Sequence, residues 1–250
     1  GDPMEMADLE LVSLNTAKTV IILPPASEYP DADVIKTTLA ITKNPKRRKA
    51  PYHIVAGIRN PRNQEIANVA GNGEVEWLVT SEVVSRVIAQ TSLQPGLSAV
   101  YDDLFDFEDQ EIYLKSDSML CGRPFSQALF ASDDNTVIGV VTESGQVLLN
   151  PPKDRIIQHN DQLIVIAGDD LEVHFDLQGL GKHNSDHISL GELPPIQSKQ
   201  ILILGWNWRG KRILEELDKY VSPGSQITVL ADQEKVAEQI HSDCLDCNNL

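Results

Sequence analysis

Short runs of β-branched and aliphatic residues alternate with helical stretches over the first 95 residues of the chain. The runs lie at 19–23, 52–56 and 75–79, and each is followed by apolar residues near helical spacing. Parallel strands need crossover connections, usually helices, so this alternation is typical of a parallel sheet covered by helices. The sequence therefore predicts three strand-helix units of an α/β fold within residues 1–95.

Proline and glycine predict the limits of the helices. Pro24 and Pro25 end the first run, Pro61 suits a first helical turn, and Gly71 suits the position after a last turn. We therefore expect helices over about 31–42 and within 61–71. A third helix, capped by Thr80 or Ser81, should carry an apolar stripe formed by Val83, Val84, Val87 and Ile88.

Pro95 and Gly96 interrupt this pattern, and shorter elements follow. Strands are predicted at 112–114, 137–141, 147–149 and 163–167, the middle pair joined by a hairpin, with one short helix near 125–130. The sequence therefore predicts a small, largely β lobe over 96–170. A polar linker should follow over 171–199, and its His183 and His187 lie in no helical pattern that would direct them to a metal.

A second α/β segment is expected over 200–250. The run at 201–204 enters the turn GWNWRG, a helix follows, and another strand is predicted at 227–230 before the chain stops at Leu250. Such a fold would be incomplete at that point. One hypothesis is that the strands of this segment pair with those of the first, within one chain or between chains, into a single sheet.

The turn between the strand and the helix of this second segment resembles a dinucleotide-binding motif. In such a motif the pyrophosphate lies against a helix N-terminus and an acidic residue holds the ribose. Here Asn207 replaces the middle glycine, and Trp206 and Trp208 would crowd a phosphate. We interpret the turn as a feature of the fold that does not hold NAD(H) or another nucleotide. The alternative is a cofactor site formed by Gly205, Asn207, Gly210 and Asp232.

Acidic residues are concentrated just after residue 100. Carboxylates gathered on a loop are plausible ligands for Ca²⁺, which takes about six to eight oxygens. Their spacing does not match an EF-hand loop, and a hydrated acidic surface is the competing interpretation. The candidate ligands are Asp102, Asp103, Asp106, Glu108 and Asp109.

The composition excludes several classes of protein. A formal charge of −16 argues against a nucleic-acid partner, because phosphates are bound by patches of Lys and Arg. The basic run at 46–49 reads as a solvated loop. No apolar stretch approaches the roughly 20 residues that cross a bilayer, so we expect the chain itself to be soluble. Three cysteines indicate a reducing compartment, and Cys244 and Cys247 do not complete a zinc site.

Several stretches together resemble one family. The segments ADLELVSLNTAKTVIIL and DADVIKTTLAI look like the later part of an RCK (regulator of K⁺ conductance) N-lobe. TVIGVVTESGQVLLNPPKDRIIQHNDQLIVIAG is similar to the RCK C-lobe, also called TrkA-C. More specifically, QPGLSAVYDDLFDFEDQEIYLK and ILILGW resemble the CASTOR/POLLUX ion channels.

The resemblance implies a non-catalytic piece of a gating assembly for potassium or other cations. Residues 1–95 would be the later part of a Rossmann-like RCK N-lobe, 96–170 a C-lobe, and 200–250 the start of a second N-lobe. It also implies other RCK subunits as partners, in at least a dimer, a pore domain in the parent protein, and a place on the cytoplasmic face of a membrane. Ca²⁺ is the effector that the resemblance suggests. The alternatives are a soluble Trk-type K⁺ transporter subunit that binds a nucleotide and an NAD-dependent oxidoreductase.

Overall fold

A computed structural model describes residues 1–106, 110–177, 197–234, 236–244 and 247–250. The predicted α/β class is confirmed. The described chain divides into two compact units, one formed by 1–93 together with 197–250 and the other by 94–177. Within these described ranges, no helix has both the length and the apolar character that crossing a bilayer requires.

The elements are numbered in chain order. The helices are α1 Met6–Leu11, α2 Pro30–Thr42, α3 Gln64–Gly71, α4 Thr80–Leu93, α5 Leu97–Phe105, α6 Phe125–Ala128, α7 Gly210–Tyr220 and α8 Val236–Asp243. The strands are β1 Thr19–Ile22, β2 His53–Ile58, β3 Val75–Val79, β4 Glu111–Lys115, β5 Thr136–Val141, β6 Val147–Leu149, β7 Gln162–Ala167, β8 Gln200–Leu204 and β9 Gln226–Leu230. Every predicted strand is present. The sequence patterns missed α1, α5 and α8.

The first unit contains two separate parallel sheets. Strands β1, β2 and β3 form one sheet in that order, and α2 and α3 pack against it over a core that includes Val34, Ile41, Ile54 and Ile58. Strands β8 and β9 form the other sheet. Within the described residues, β8 and β9 pair only with each other, so the hypothesis of a common sheet inside one chain is wrong. The two segments instead meet through helices α4 and α7.

Helix α4 buries a face that the sequence did not predict. An apolar stripe normally faces the core, yet Val83, Val84 and Ile88 are each at least 40% exposed. The buried positions are Ser81, Ser85 and Ala89, which lie four residues apart on one face. Small side chains let two helix backbones approach closely, and this face packs against α7.

In the basic run at 46–49, Arg47 and Arg48 make hydrogen bonds to other segments of the first unit. The expectation of a solvated loop is therefore wrong for these two residues. Arg47 Nη2 lies 2.6 Å from a carboxylate oxygen of Glu74, which also accepts a 2.7 Å bond from the backbone N–H of Tyr52. The hydrogen bond from Arg47 lowers the pKa of Glu74. Arg48 lies over the Tyr52 ring at 4.4 Å and donates to the carbonyl of Ala17. Two guanidinium groups therefore hold the edge from which β2 starts.

The second unit is built on an antiparallel sheet in the order β4-β7-β5-β6. The hairpin predicted between β5 and β6 is present, with Gly145 at a positive φ of 79° in its turn. Phe125, Leu120, Val140 and Val165 are buried beneath the sheet. At Gly139 the register against β7 shifts, and β6 passes close to the backbone of β5.

Candidate functional site

The GWNWRG turn joins β8 to α7 through contacts of its own residues. Gly205 adopts φ 85°, and its N–H donates to the carbonyl of Leu230 at the end of β9. The side-chain oxygen of Asn207 accepts a 2.8 Å hydrogen bond from the N–H of Arg209. Asn207 therefore closes the turn at the position where a dinucleotide fold would leave room for phosphate.

Gly210 has a packing role. A Cβ at this position would lie 2.6 Å from ring carbons of Trp206, whose side chain is 7% exposed. The indole occupies the space beside the first turn of α7, and only glycine permits that approach. Asp232 is exposed after β9. These contacts support the interpretation of the turn as a feature of the fold, and the absence of a nucleotide there stays a prediction.

The acidic stretch is only partly a loop. Asp102 and Asp103 belong to helix α5, and the N–H of Asp106 donates to the carbonyl of Asp102 at the helix end. The expectation of a loop is wrong for Asp102 and Asp103, because the helix continues to Phe105. Glu108 and Asp109 lie outside the described residues. Among the residues that are described, no three His, Cys, Asp or Glu side chains are placed to share a metal ion. Binding of Ca²⁺ stays a prediction.

Cys247, near the C-terminus, is held in its thiol form. Burial, a hydrogen bond with Cys244 and the nearby carboxylates of Asp218 and Glu215 raise the pKa of Cys247 to about 12. A zinc ligand must be the thiolate. This environment therefore disfavours the form that would bind zinc.

A cleft in the first unit is lined by residues that lie far apart in the sequence. It lies beyond the carboxyl end of β2, beside the first turns of α4 and α7, and its volume is about 770 Å³. In open α/β sheets, ligands bind in crevices at the carboxyl ends of strands. The lining residues are Arg59, Asn60, Pro61, Arg62, Ser81, Glu82, Ser85, Trp208, Arg209, Lys211, Arg212 and Glu215.

Helices α4 and α7 run parallel beside this cleft. Glu82 pairs with Arg212 at 3.3 Å, Arg86 contacts Glu216 at 3.5 Å, and Gln90 donates to the Tyr220 hydroxyl at 3.3 Å. From one pair to the next, the residue in α4 and the residue in α7 both lie four positions further toward the C-terminus, so the two helices run in the same direction. The N-termini of the two helices are therefore adjacent, and the positive ends of both helix dipoles lie at the cleft.

A buried carboxylate at the start of α2 holds the loop that carries Arg59 and Arg62 through hydrogen bonds. Asp31, at the start of α2, accepts hydrogen bonds from the N–H groups of Arg59 and Asn60 at 2.8 and 2.9 Å. It also accepts a 2.8 Å bond from the side chain of Asn63. The backbone that carries the two guanidinium groups is thereby held in place next to the cleft.

Positive charge dominates the lining of the cleft. Five cationic side chains face two carboxylates there, although the chain as a whole carries a formal charge of −16. Lys211 pairs with Asp243, and Arg212 pairs with Glu82, Glu215 and Glu216. In the part of the chain that the structure describes, Arg59, Arg62 and Arg209 have no carboxylate partner within 4.0 Å. The cleft therefore holds three guanidinium groups that no carboxylate neutralises.

Two buried hydroxyl groups complete the lining. Ser85 is fully buried and Ser81 is 5% exposed, and neither Oγ has a hydrogen-bond partner among the described residues. A buried hydroxyl without a partner costs roughly 1 to 3 kcal/mol of folding free energy.

Sequence reasoning missed this site because its cationic residues are scattered along the sequence. The available signal was that Arg59 and Arg62, like Arg209 and Arg212, follow the ends of strands.

Comparison with known proteins finds similarity to one group of channels over more than nine-tenths of the chain. Residues 81–178 match the family described as "Castor and Pollux, part of voltage-gated ion channel". The chain is 29% identical to "Probable ion channel POLLUX" of Oryza sativa over 91% of its length, and 28% identical to the Arabidopsis thaliana protein of that name over 94%. It is also 28% identical to "Ion channel CASTOR" of Lotus japonicus over 93%. The predicted resemblance to these channels is confirmed.

The chain spans about a quarter of the length of these relatives, from 24% to 29%. Among solved structures, "GsuK channel bound to NAD" and "Crystal Structure of the GsuK RCK domain" are each 17% identical and match 99% of the chain. The matched regions make up 42% and 51% of those two chains, with TM-scores of 0.41 and 0.38. Superpositions with scores this low do not establish a shared fold.

Proposed function

We propose that this relative of the CASTOR/POLLUX ion channels is a regulatory segment that couples ligand binding to the opening of a pore. The observation that carries the proposal is the similarity to these channels over more than nine-tenths of the chain, together with the family match at 81–178. In this role the segment has no catalytic residues. It lies on the cytoplasmic side of a membrane and acts with other copies and with a pore domain.

The arrangement of α4 and α7 supports such a role. A ligand moves a conformational equilibrium only by binding one state more tightly than another. The interface between these helices consists of small side chains and ion pairs, and the cleft lies at one end of it. A ligand that draws the two N-termini together would therefore change the relation between the first and last segments of the chain.

The RCK interpretation extends this proposal. Residues 1–95 and 200–250 would be parts of two successive N-lobes, and 96–170 a C-lobe, so that one chain carries the contact between neighbouring lobes. The strands β8 and β9 remain available to pair across subunits.

Ca²⁺ is a proposed effector at the acidic stretch that includes Asp102, Asp103 and Asp106. Calorimetric titration with Ca²⁺ tests this proposal.

Single-channel recording of the full channel that carries this segment tests the proposed function. Replacing Arg86 with glutamine removes its ion pair with Glu216 between α4 and α7, and also its pair with Glu82 within α4. Allosteric couplings are typically about 1 to 3 kcal/mol, so we expect the open probability to change about fivefold or more. The unitary conductance should stay the same, because the pore lies elsewhere.

A matched control is Lys36→Gln, which removes a charge from an exposed pair on α2. It should leave both the open probability and the conductance unchanged. An Arg86→Gln channel with the open probability of the wild type would contradict the proposed coupling. A changed unitary conductance would place the segment in the conduction path and also contradict it.

A further inference from the structure

We propose that Cys244 and Cys247 form a reversible disulfide at the end of α8, by exchange with a small disulfide compound such as oxidised glutathione. Formation of the bond depends only on the chain itself, whereas a role in gating rests on the proposed function. Three features of the chain support the bond: the closeness of the two thiols, an open approach to Cys244, and the anchoring of the residues that follow Cys247.

The two thiol groups are close enough to join. The N–H of Cys247 donates to the carbonyl oxygen of Cys244 at 3.0 Å. A hydrogen bond between residues three positions apart keeps their Cα atoms within about 7 Å, and disulfides usually join Cα atoms that are about 4.4 to 6.8 Å apart. The two side chains also meet, since their thiols are hydrogen-bonded to each other. The backbone therefore need not unfold for the bond to form.

The surroundings of Cys247 suit a disulfide better than a thiolate. Burial, the hydrogen bond with Cys244 and the carboxylates of Asp218 and Glu215 raise the pKa of Cys247 to about 12. Cys247 therefore gives the reduced pair no stabilisation through ionisation near neutral pH. Dithiol pairs whose reduced form is stabilised by an ionised thiol give disulfides that are easily reduced. A disulfide that lacks this competition should persist once it has formed.

Cys244 is open to a small disulfide compound. It lines a cleft of about 590 Å³ whose walls come from β9 and α8. His241 lines the same cleft three residues earlier, so the two side chains are neighbours on the helix surface. A thiolate is the form that attacks a disulfide, and an imidazole can take the proton that the thiol gives up. We therefore assign the first attack to Cys244 and the closing step to Cys247.

The reaction consists of two exchange steps. In the first, the Cys244 thiolate attacks a sulfur atom of oxidised glutathione, a mixed disulfide forms, and one glutathione leaves and takes up the proton released from Cys244. In the second, the sulfur of Cys247 displaces the other glutathione from Cys244, and the proton of Cys247 passes to it. The chain is oxidised by loss of two hydrogen atoms, and one molecule of oxidised glutathione is reduced to two molecules of glutathione.

The bond would hold the ends of α7 and α8 together. The backbone N–H groups of residues 248–250 all donate to the carboxylate of Asp218 in the last turns of α7, at 3.0, 2.7 and 3.1 Å. A disulfide between Cys244 and Cys247 would restrict the chain just before this segment and keep it where it binds Asp218. Since α7 also contacts α4, oxidation would act on the helix contact that the proposed function uses.

Incubation of the full chain with excess oxidised glutathione, followed by mass spectrometry, tests the bond. We expect a loss of about 2 Da, because two hydrogen atoms leave, and reversal by dithiothreitol. Peptide mapping should locate the bond between Cys244 and Cys247, with Cys121 still open to alkylation. An unchanged mass, a bond to Cys121 or a disulfide-linked dimer would overturn the proposal.

Cysteine variants separate the two steps. Cys247→Ser should stop the reaction at the mixed disulfide on Cys244, with a gain of about 305 Da. Cys244→Ser should abolish the loss of mass, and the matched control Cys121→Ser should react as the wild type does. His241→Gln should slow the first step at least about threefold at neutral pH, because it removes the imidazole that takes the proton. Loss of about 2 Da in either variant of the pair would contradict the assignment, and an unchanged rate in His241→Gln would contradict the role of the imidazole.

Hydrogen exchange measures what the bond does to the chain. In the oxidised form, the amide hydrogens of residues 248–250 should exchange at least about fivefold more slowly, because the segment separates from Asp218 less often. The amide hydrogens of β7, in the second unit, provide the internal control and should exchange equally in both forms. Equal rates for 248–250 in the two forms would contradict the link between α7 and α8. Neither that result nor a failure of the bond to form would change the single-channel result expected for Arg86→Gln.

Discussion

Replacement of Gly139 with alanine is expected to lower the free energy of unfolding of the second unit by about 3 kcal/mol, the upper part of the usual range for overpacking. A Cβ at this position would overlap the carbonyl oxygen of Leu148 and lie 3.1 Å from the Cα of Leu149. Both neighbours are backbone atoms of the paired strand β6, so no side chain can move aside. Denaturant unfolding followed by circular dichroism measures the loss.

Gly145 provides the control for this variant in the same hairpin. Its φ is 79°, and nothing lies within 4 Å of the position that a Cβ would occupy. Asparagine tolerates such left-handed conformations, so Gly145→Asn should cost less than about 1 kcal/mol. Equal losses in the two variants would show that the close approach of β6 at Gly139 does not limit the stability of the sheet.

Replacement of Glu216 with alanine should destabilise the contact between α4 and α7 by about 3 kcal/mol, the low end of the range for breaking a buried ion pair. The side chain is 3% exposed, and its carboxylate contacts Lys219 at 2.9 Å, Arg212 at 3.1 Å and Arg86 at 3.5 Å. Without this carboxylate, three cations remain close together. The control Glu215→Ala removes a partner of Arg212 whose side chain is 34% exposed, and it should cost about 1 kcal/mol or less.

The pH dependence of this loss has a definite sign. Burial acts to raise the pKa of Glu216, but the bond from Lys219 and the charges of Lys219, Arg212 and Arg86 together lower it below 4.5. Its contribution to stability is therefore complete above about pH 4.5 and decreases as the pH falls through the lowered value. The difference in unfolding free energy between wild type and Glu216→Ala should shrink over that interval. A difference that grows toward acid pH would contradict the ion-pair explanation.

Local patterns predicted the strands well, because apolar runs between proline and glycine residues are governed by nearby residues. The run at 75–79 became β3 with the same limits. The patterns failed where a tertiary contact decides which face is buried. In α4 the valines suggested the inner face, but the partner is another helix that approaches through Ser81, Ser85 and Ala89.

The candidate site was predicted in pieces only. Its arginines are separated by about 150 residues in sequence, and their charges are hidden within a strongly acidic composition. The turn at Gly205 was identified from its glycines, but the sequence pattern did not reveal that Trp206 packs against Gly210. Unpartnered hydroxyl groups such as that of Ser85 are a property of packing, so no sequence pattern indicates them.

The most direct test of the proposed coupling between this segment and a pore is single-channel recording of the full channel with Arg86→Gln, which removes the ion pair with Glu216 between α4 and α7. We expect the open probability to change about fivefold or more while the unitary conductance stays the same. An open probability equal to that of the wild type would contradict the claim that the contact between α4 and α7 takes part in gating.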